Sequence, residues 1–315
     1  MQELTTTRHN LFIDPSTSVW GWEIPVYLFL GGLVAGLMII TGYFILKGKH
    51  KNPDSIVHYV PFLSILFLSV GMGTLFLDLS HKLFVWRLYT TFQITSPMSW
   101  GSWILLLVYP ALIANILIDP PHLLKDNFNL IAKWSRAVNS KESYLNNIGL
   151  LNIIFGVLLG IYTGVLLSTM GARPLWNSSV LWLLFLVSGL STAAAFGHMV
   201  AKDVDEREFL AKADNTFLIS EFMVIVLMLV GLMSSSQAHI QGAQLLLGGP
   251  YTAPFWIFVV GMGIIIPLII QFLAVNHKIK HTPVAPLLVI AGGLVLRFVI
   301  VYAGQFSHYV NAHFN

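Results

Sequence analysis

Long apolar stretches constrain this 315-residue chain more than any other feature of its sequence. A helix that crosses the ~30 Å hydrocarbon core of a bilayer needs roughly 20 mostly apolar residues. Only 10% of the residues are charged, whereas a soluble domain carries about 25%. The sequence therefore predicts an all-α membrane protein with eight transmembrane helices, at about residues 21–46, 57–80, 100–118, 146–169, 179–201, 216–236, 254–275 and 284–306.

A faint internal repeat suggests how the predicted helices are grouped. The Trp-Ile pair at 103–104 recurs at 256–257, and the Tyr-x-Gly triplet at 162–164 recurs at 302–304. Helices four positions apart run in the same direction, so a duplicated four-helix bundle is possible; matches this short also arise by chance. The predicted division is an N-terminal periplasmic segment, a first four-helix bundle and a second one, at residues 1–20, 21–169 and 170–315.

The distribution of Lys and Arg predicts the orientation in the membrane. One alternate set of connections carries twelve of these residues, and the opposite set carries four. Because basic residues are retained on the cytoplasmic side, we predict a multi-pass protein of the cytoplasmic (inner) membrane with both termini in the periplasm. The polar N-terminus lacks the order of a cleavable signal peptide, so the first apolar stretch is expected to remain as a helix.

The sequence also predicts the structure of two polar connections between the helices. Residues 122–137 alternate apolar and basic side chains in a way that favours an amphipathic helix on the membrane surface. Residues 202–214 form the one dense charge cluster of the sequence. Such a run is usually a solvated segment, and a loop is the expectation here.

Polar side chains gather at the predicted outer ends of the helices. Ionisable groups inside a membrane are costly, so each is a candidate for function. A quinone head group needs hydrogen-bond partners for two oxygens and a base for each proton, and this layer offers suitable groups. The candidates for quinone binding are Glu23, Tyr27, Asp78, His81 and Tyr162, and those for electrostatic or partner contacts are Arg173, Trp176 and Gln305. An Asp78–Arg173 ion pair that only fixes the outer loops, and a His81 side chain that only reaches water, are the structural alternatives.

Arg297 lies inside the eighth apolar stretch. A guanidinium at this depth must be paired or solvated by water. Its expected partners are Asp78, Glu23 or a quinone oxygen, and pairing for structure alone is the alternative.

A second polar layer lies towards the predicted inner face. Asn152, His198 and Glu221, with Asn276 and His277, form a possible proton path to the outer layer. The simpler interpretation is that His198 and Glu221 cap helix ends near the lipid head groups.

The sequence argues against a redox centre held by this protein. With no Cys, it cannot supply thiolate ligands to an iron–sulfur cluster or a zinc ion. A bis-His haem needs two His on facing helices at one depth, and no His lies in the middle of a predicted helix. We therefore expect no haem, no iron–sulfur cluster and no metal in this protein.

Several segments resemble the NrfD/PsrC family, the membrane subunits of polysulfide-reductase-type complexes. They are WGWEIPVYLFLGGLVAG at 20–36, SPMSWGSW at 96–103, YTGVLLS at 162–168, RPLWN at 173–177 and GGLVLRFVIVYAGQ at 292–305. The resemblance covers nearly the whole sequence in order. It implies an eight-helix subunit in two four-helix bundles that binds menaquinone near the outer face.

The resemblance also implies partners and site residues. The family passes electrons to a ferredoxin-like four-cluster iron–sulfur subunit, which serves a molybdopterin-containing catalytic subunit. In the polysulfide-reductase branch a tyrosine of helix four and polar residues of helix one hold the quinone. Tyr162 matches that tyrosine, whereas Glu23 and Tyr27 stand where the branch has His and Asn. Membrane lipid, and no nucleic acid, is expected among the other partners.

Two other functions remain open on the sequence. A proton-coupled secondary transporter or ion-translocating subunit would use the same buried Glu, His and Arg side chains. A plain membrane anchor would need none of them. A neighbouring gene for an iron–sulfur or molybdopterin subunit would favour the quinone-reactive function, and an isolated gene would favour the transporter.

Overall fold

The computed structural model describes residues 20–275 and 282–307, apart from the side chains of 122–124, 274 and 275. These residues include eight helices long and apolar enough to cross a membrane, and no strand. They are named α1 (Glu23–Leu46), α2 (Val60–Asp78), α3 (Pro97–Ile116), α4 (Glu142–Ser168), α5 (Leu181–Val200), α6 (Val204–Met233), α7 (Pro254–Leu273) and α8 (Val284–Phe306). The predicted all-α membrane fold with eight helices is confirmed.

The start of α6 differs most from the prediction. Residues 202–214 were expected to form a loop, but α6 begins within them. The carboxylate of Asp203 accepts a hydrogen bond from the backbone N–H of Asp205 at the first turn. Asp205 and Glu206 lie where the helix dipole favours negative charge, and Glu206 is buried. The loop prediction is wrong because acidic residues at this position start a helix.

Short helices occupy the connections. The predicted surface helix at 122–137 is present as two pieces, His122–Asn127 and Asn129–Val138. Other short helices are Lys49–Lys51, Ile56–His58, Lys82–Phe84, Arg87–Thr90 and Gln237–Leu247. The first part of α7, Pro254–Ile265, is π-helical, and the rest of α7 belongs to the α-helix Ile266–Val275, which extends two residues beyond it.

Helix α1 lies at the centre of the molecule, where it contacts α2, α4, α5 and α8. It can approach α4 and α5 closely because glycines face glycines, Gly42 against Gly149 and Gly36 against Gly189. In addition, α1 to α4 contact one another in a ring, and so do α5 to α8. The division into two bundles near residue 170 stays a prediction, and these contacts are compatible with it.

The two ends of the described part of the protein meet. The Gln305 amide accepts from the backbone N–H of Trp20 at 2.8 Å and donates to its carbonyl at 3.1 Å. The start of α1 and the end of α8 therefore lie on one side, as an even number of crossings requires. Most of the predicted N-terminal segment, the C-terminus, Asn276 and His277 lie outside the described residues.

Candidate functional site

Two buried tyrosines face each other where α1 begins. Tyr27 of α1 is 2% exposed and Tyr162 of α4 is 7% exposed. Their phenols are close enough to interact electrostatically. The Tyr27 hydroxyl is inaccessible to solvent and forms no hydrogen bond of good geometry with a described residue, although the Tyr162 phenol lies near hydrogen-bonding range. A buried hydroxyl without a well-formed hydrogen bond is costly, so an acceptor that reached this pair of phenols would be bound favourably.

The surroundings of Tyr162 include α3 and the connection that precedes it. Its ring lies against Gly101 of α3, where any Cβ would overlap the ring. Tyr89, in the short helix Arg87–Thr90, interacts electrostatically with Tyr162, and burial raises the pKa of the Tyr89 phenol above its ordinary value. Tyr89 also borders a cavity of about 240 Å³. The other residues that line this cavity are Leu105, Leu106 and Tyr109.

Two carboxyl groups lie at the same end of the helices. Glu23 is the first residue of α1, one turn before Tyr27, and Asp78 is the last residue of α2. Both are half-buried, and they are close enough to interact electrostatically. The alternative ion pair between Asp78 and Arg173, both of them described residues, is not formed. Together, Glu23, Tyr27, Asp78, Tyr89 and Tyr162 are called the tyrosine site.

His81 lies apart from the phenols in the connection after α2. It is exposed and lines a cavity of about 570 Å³ with Arg87 of the same connection and Ser99 of α3. No hydrogen bond joins the His81 side chain to any described residue of the tyrosine site. The structure therefore brings four of the five predicted quinone-binding residues together and leaves His81 at a neighbouring cavity.

The connection after α4 is held to the end of α8 by hydrogen bonds that involve Arg173, Trp176 and Gln305. Arg173 donates to the carbonyl of Gln305 at 2.6 Å, and the Trp176 indole donates to the carbonyl of Ile300 at 2.8 Å. Burial lowers the pKa of the Arg173 guanidinium from its ordinary value. The three side chains also line a cavity of about 400 Å³ beside Trp20. Their contacts with the backbone give them a structural role at this end of the molecule.

Arg297 is among the largest fully buried side chains, and its partners differ from those expected. It donates to the Ser188 hydroxyl and, at 3.1 Å, to the carbonyl of Phe185, both on α5. Its guanidinium also lies 5.0 Å from the centre of the Phe185 ring. The opposite charge is Glu221 of α6, which interacts with both Ser188 and Arg297. The expectation of pairing with Asp78 or Glu23 is wrong, because α5 and α6 supply the nearer polar groups.

Asp214 of α6 extends these contacts, although it was not among the candidate residues predicted from the sequence. It is fully buried. Its carboxylate accepts from the Ser191 hydroxyl of α5 at 2.8 Å and from the Gln271 amide of α7 at 2.6 Å, and it interacts with Glu221 two turns later. The spacing of seven residues between Asp214 and Glu221, on one helix face, was the signal that could have revealed it. Asp214, Glu221 and Arg297, with Ser188, Ser191 and Gln271, are called the charge network.

The three described residues of the predicted proton path lie in different parts of the structure. Glu221 lies in the middle of α6, because the helix starts at Val204, and it does not cap a helix end. Asn152 is buried between α4 and α3, where its amide donates to the carbonyls of Ile148 and Ala111 at 2.9 and 3.3 Å. His198 lies near the end of α5 beside a cavity of about 190 Å³. Only Glu221 belongs to the charge network.

Comparison with known proteins identifies relatives over almost the whole sequence. The family described as NrfD, polysulphide reductase, matches residues 11–308. The C subunit of polysulfide reductase from Wolinella succinogenes is 31% identical over 92% of this protein and 95% of its own length. Protein NrfD of Escherichia coli is 28% identical over 92% and 96%, and a NrfD homolog of Haemophilus influenzae is 27% identical over 92% and 95%. The protein described here is therefore a multi-pass integral membrane protein that belongs to the NrfD family.

Proposed function

We propose that this protein is the quinone-binding membrane subunit of an oxidoreductase complex of the inner membrane. It exchanges electrons between menaquinol and a ferredoxin-like iron–sulfur subunit on the periplasmic side. A molybdopterin-containing catalytic subunit receives or supplies those electrons through the iron–sulfur subunit. Membership of a family that includes a polysulfide reductase subunit supports this assembly.

The observation that carries the proposal is the pair of buried phenols, Tyr27 and Tyr162, in which the Tyr27 hydroxyl forms no hydrogen bond of good geometry with a described residue. A quinone is a flat apolar ring with two hydrogen-bond acceptors, and it would accept hydrogen bonds from this pair. The apolar cavity beside Tyr89 offers space for such a ring or its tail. The residues of the tyrosine site therefore fit a quinone by polarity and hydrogen-bonding capacity, with apolar space beside Tyr89.

Four residues of the tyrosine site have a proposed task. A bound quinol supplies the redox chemistry, which releases two electrons and two protons. Tyr27 and Tyr162 donate hydrogen bonds that orient the ligand oxygens, because a phenol is a good donor in an apolar surrounding. Glu23 and Asp78 accept the protons at the end of the helices where α1 begins. Arg173, Trp176 and Gln305 hold α8 and the connection after α4 in place beside that end.

The membrane orientation is part of the same proposal. The concentration of Lys and Arg in alternate connections favours the periplasm for the side where α1 begins. We expect a periplasmic reporter fused after residue 315 to be active. A fusion active only in the cytoplasm would contradict the proposed location of the tyrosine site and its partner.

The experiment that tests the function compares conservative tyrosine variants of the assembled complex. Tyr27→Phe and Tyr162→Phe each remove one hydroxyl, and Tyr43→Phe removes an exposed one near the other end of α1. One hydrogen bond contributes about 0.5–1.5 kcal/mol, so turnover at limiting quinol should fall roughly two- to tenfold in the first two variants. Electron transfer from a dye that reduces the iron–sulfur subunit directly should not change. Full quinol-dependent activity in both site variants would contradict the proposal.

A second candidate function, proton or ion translocation, is favoured by the charge network. Arg297, Glu221 and Asp214 are all buried in helices that cross the membrane, and such groups commonly mark proton paths. If this function is present, Glu221→Gln in proteoliposomes should abolish proton movement coupled to quinol oxidation while quinol oxidation by itself continues. Equal loss of both activities would assign Glu221 a purely structural role.

A further inference from the structure

An apolar groove lies between α3 and the surface helix Asn129–Val138. It encloses about 400 Å³, and almost all of its lining surface is apolar. The lining residues are Pro110, Ile113 and Ala114 of α3, Leu117 directly after it, and Leu130, Ile131 and Trp134 of the surface helix. It is called the surface-helix groove, and it shares no lining residue with the tyrosine site or the charge network.

The groove faces the lipid and not the protein interior. Ile113 lies inside a membrane-spanning helix and is nevertheless 49% exposed. Leu130 is 67% exposed and Trp134 is 58% exposed on the surface helix. A helix that presents such side chains next to a spanning helix is stable when it lies in the interface with its apolar face in hydrocarbon. The contents of the groove are therefore expected to be hydrocarbon.

Positive charge lies on the polar face of the surface helix, beside its groove-lining turns. Lys133 and Arg136, together called the rim charge, are exposed there. Arg136 donates from Nε to the carbonyl of Ala132 at 3.3 Å, and neither side chain has a carboxylate partner among the described residues. Elsewhere on this face, by contrast, Lys49 and Lys51 form ion pairs with Asp203 and Glu142.

We infer that the surface-helix groove binds an anionic glycerophospholipid. One acyl chain fills the groove between Ala114 and Trp134, and the phosphate head group contacts Lys133 and Arg136. A phospholipid matches both features, because its apolar chain and its negative charge are joined at about the depth of the interface. A protein partner would have to enter hydrocarbon to cover Ile113. The site lies away from the proposed quinone chemistry and does not depend on it.

The test measures lipid binding by the purified full-length protein with native mass spectrometry in detergent. The probes are dioleoyl phosphatidylglycerol and dioleoyl phosphatidylcholine, which share acyl chains and differ in head-group charge. Lys133→Gln combined with Arg136→Gln removes the rim charge without touching the core. Lys47→Gln combined with Lys202→Gln removes the same charge from exposed positions outside the groove. Ala114→Phe fills the groove and keeps its charge.

The wild-type protein should bind phosphatidylglycerol more tightly than phosphatidylcholine. Each basic residue near an anionic surface contributes about 1 kcal/mol, so the rim double variant should weaken phosphatidylglycerol binding by roughly ten- to thirtyfold. The control double variant should bind as the wild type does, and Ala114→Phe should weaken the binding of both lipids. Equal affinity of the wild type for both lipids, or unchanged phosphatidylglycerol binding in the rim variant, would overturn the inference.

Discussion

The tyrosine site and the charge network use polar groups in opposite ways. The tyrosine site draws on α1, α2, α4 and the connection between α2 and α3; its Tyr27 hydroxyl forms no hydrogen bond of good geometry with a described residue, and its Tyr89 borders an apolar cavity. The charge network draws on α5, α6, α7 and α8, and most of its polar groups meet partners on neighbouring helices, although Nε of Arg297 and Oε1 of Gln271 have none among the described residues. A pair of phenols at the end of apolar helices is suited to a ligand, whereas buried groups of opposite charge on neighbouring helices are suited to hold the helices together or to pass protons.

This difference predicts how substitutions in the two regions should act. A change in the charge network should first affect stability, since it leaves an opposite charge buried without its partner. A change in the tyrosine site should first affect quinol turnover, since the protein does not depend on the Tyr27 hydroxyl for its own packing.

The largest expected effect is on Arg297. Arg297→Met leaves Glu221 without its positive neighbour, and breaking a buried pair in this way costs about 3–5 kcal/mol. The midpoint of thermal unfolding in detergent should fall by roughly 5–10 °C. The double variant Arg297→Met with Glu221→Gln removes both charges and should recover at least half of the loss. A double variant no more stable than the single one would show that the two side chains are not coupled.

The next effect concerns Glu23. Glu23→Gln keeps the shape of the side chain and removes a proton acceptor from the tyrosine site. Because a positioned general base commonly contributes about a hundredfold or more, quinol-dependent turnover should fall by roughly that factor and its pH profile should change. Glu142→Gln, at an exposed carboxylate paired with Lys51, is the control and should leave turnover unchanged. Retention of wild-type turnover and pH profile in Glu23→Gln would remove Glu23 from the mechanism.

A smaller effect is expected from Gly101. In Gly101→Ala the new methyl group would overlap the ring of Tyr162, and such overpacking typically costs about 1–3 kcal/mol. We expect a lower affinity for quinol together with a modest loss of stability. Gly73→Ala on α2, where a Cβ meets nothing within 4 Å, is the matched control. Equal quinol affinity in the two variants would mean that the position of the Tyr162 ring is unimportant.

The smallest effect is expected at the surface pair of Lys49 and Asp203, which lie 3.2 Å apart. Lys49→Gln should lower the free energy of unfolding by no more than about 1 kcal/mol, as is usual for exposed pairs. The hydrogen bond to Asp203 raises the pKa of the Lys49 ammonium. The stabilisation is therefore complete at neutral pH and is lost only as the pH rises through the raised pKa, above about 10.4. Chemical unfolding of the wild type and of Lys49→Gln at pH 7 and pH 11 measures this stabilisation, and Lys82→Gln is the control. If Lys49→Gln lowered the free energy of unfolding as much as Arg297→Met does, the contrast between surface and buried charges would be contradicted.

The helices of the fold were predictable because hydropathy alone identifies segments that can cross a bilayer. The one large error, at residues 202–214, arose because charge density was taken as a sign of a loop. In the structure Asp203 caps α6 and Asp214 is buried against α5 and α7. A single sequence does not show which helices are neighbours, and the partners that bury Asp214 come from two of them.

The individual residues of the candidate site could be predicted from the sequence, but their proximity to one another could not. Tyr27, Tyr162, Glu23 and Asp78 stood out as polar groups at one end of apolar helices. Their proximity depends on the packing of α1 against α2 and α4, which brings together residues more than a hundred positions apart. The proximity of Arg297 to Glu221 was missed for the same reason, because the packing of α5 against both α8 and α6 brings the two side chains near each other.

Labelling with a photoreactive menaquinone analogue tests the central claim most directly. The complex is illuminated with the analogue, and the labelled residues are mapped by mass spectrometry with and without excess menaquinone. The account predicts labels in α1, α3, α4 or the connection 79–96, around Tyr27 and Tyr162, that excess menaquinone suppresses. Suppressible labels confined to residues 181–306 would contradict it, because the quinone would then bind within α5 to α8 and not at the tyrosine site.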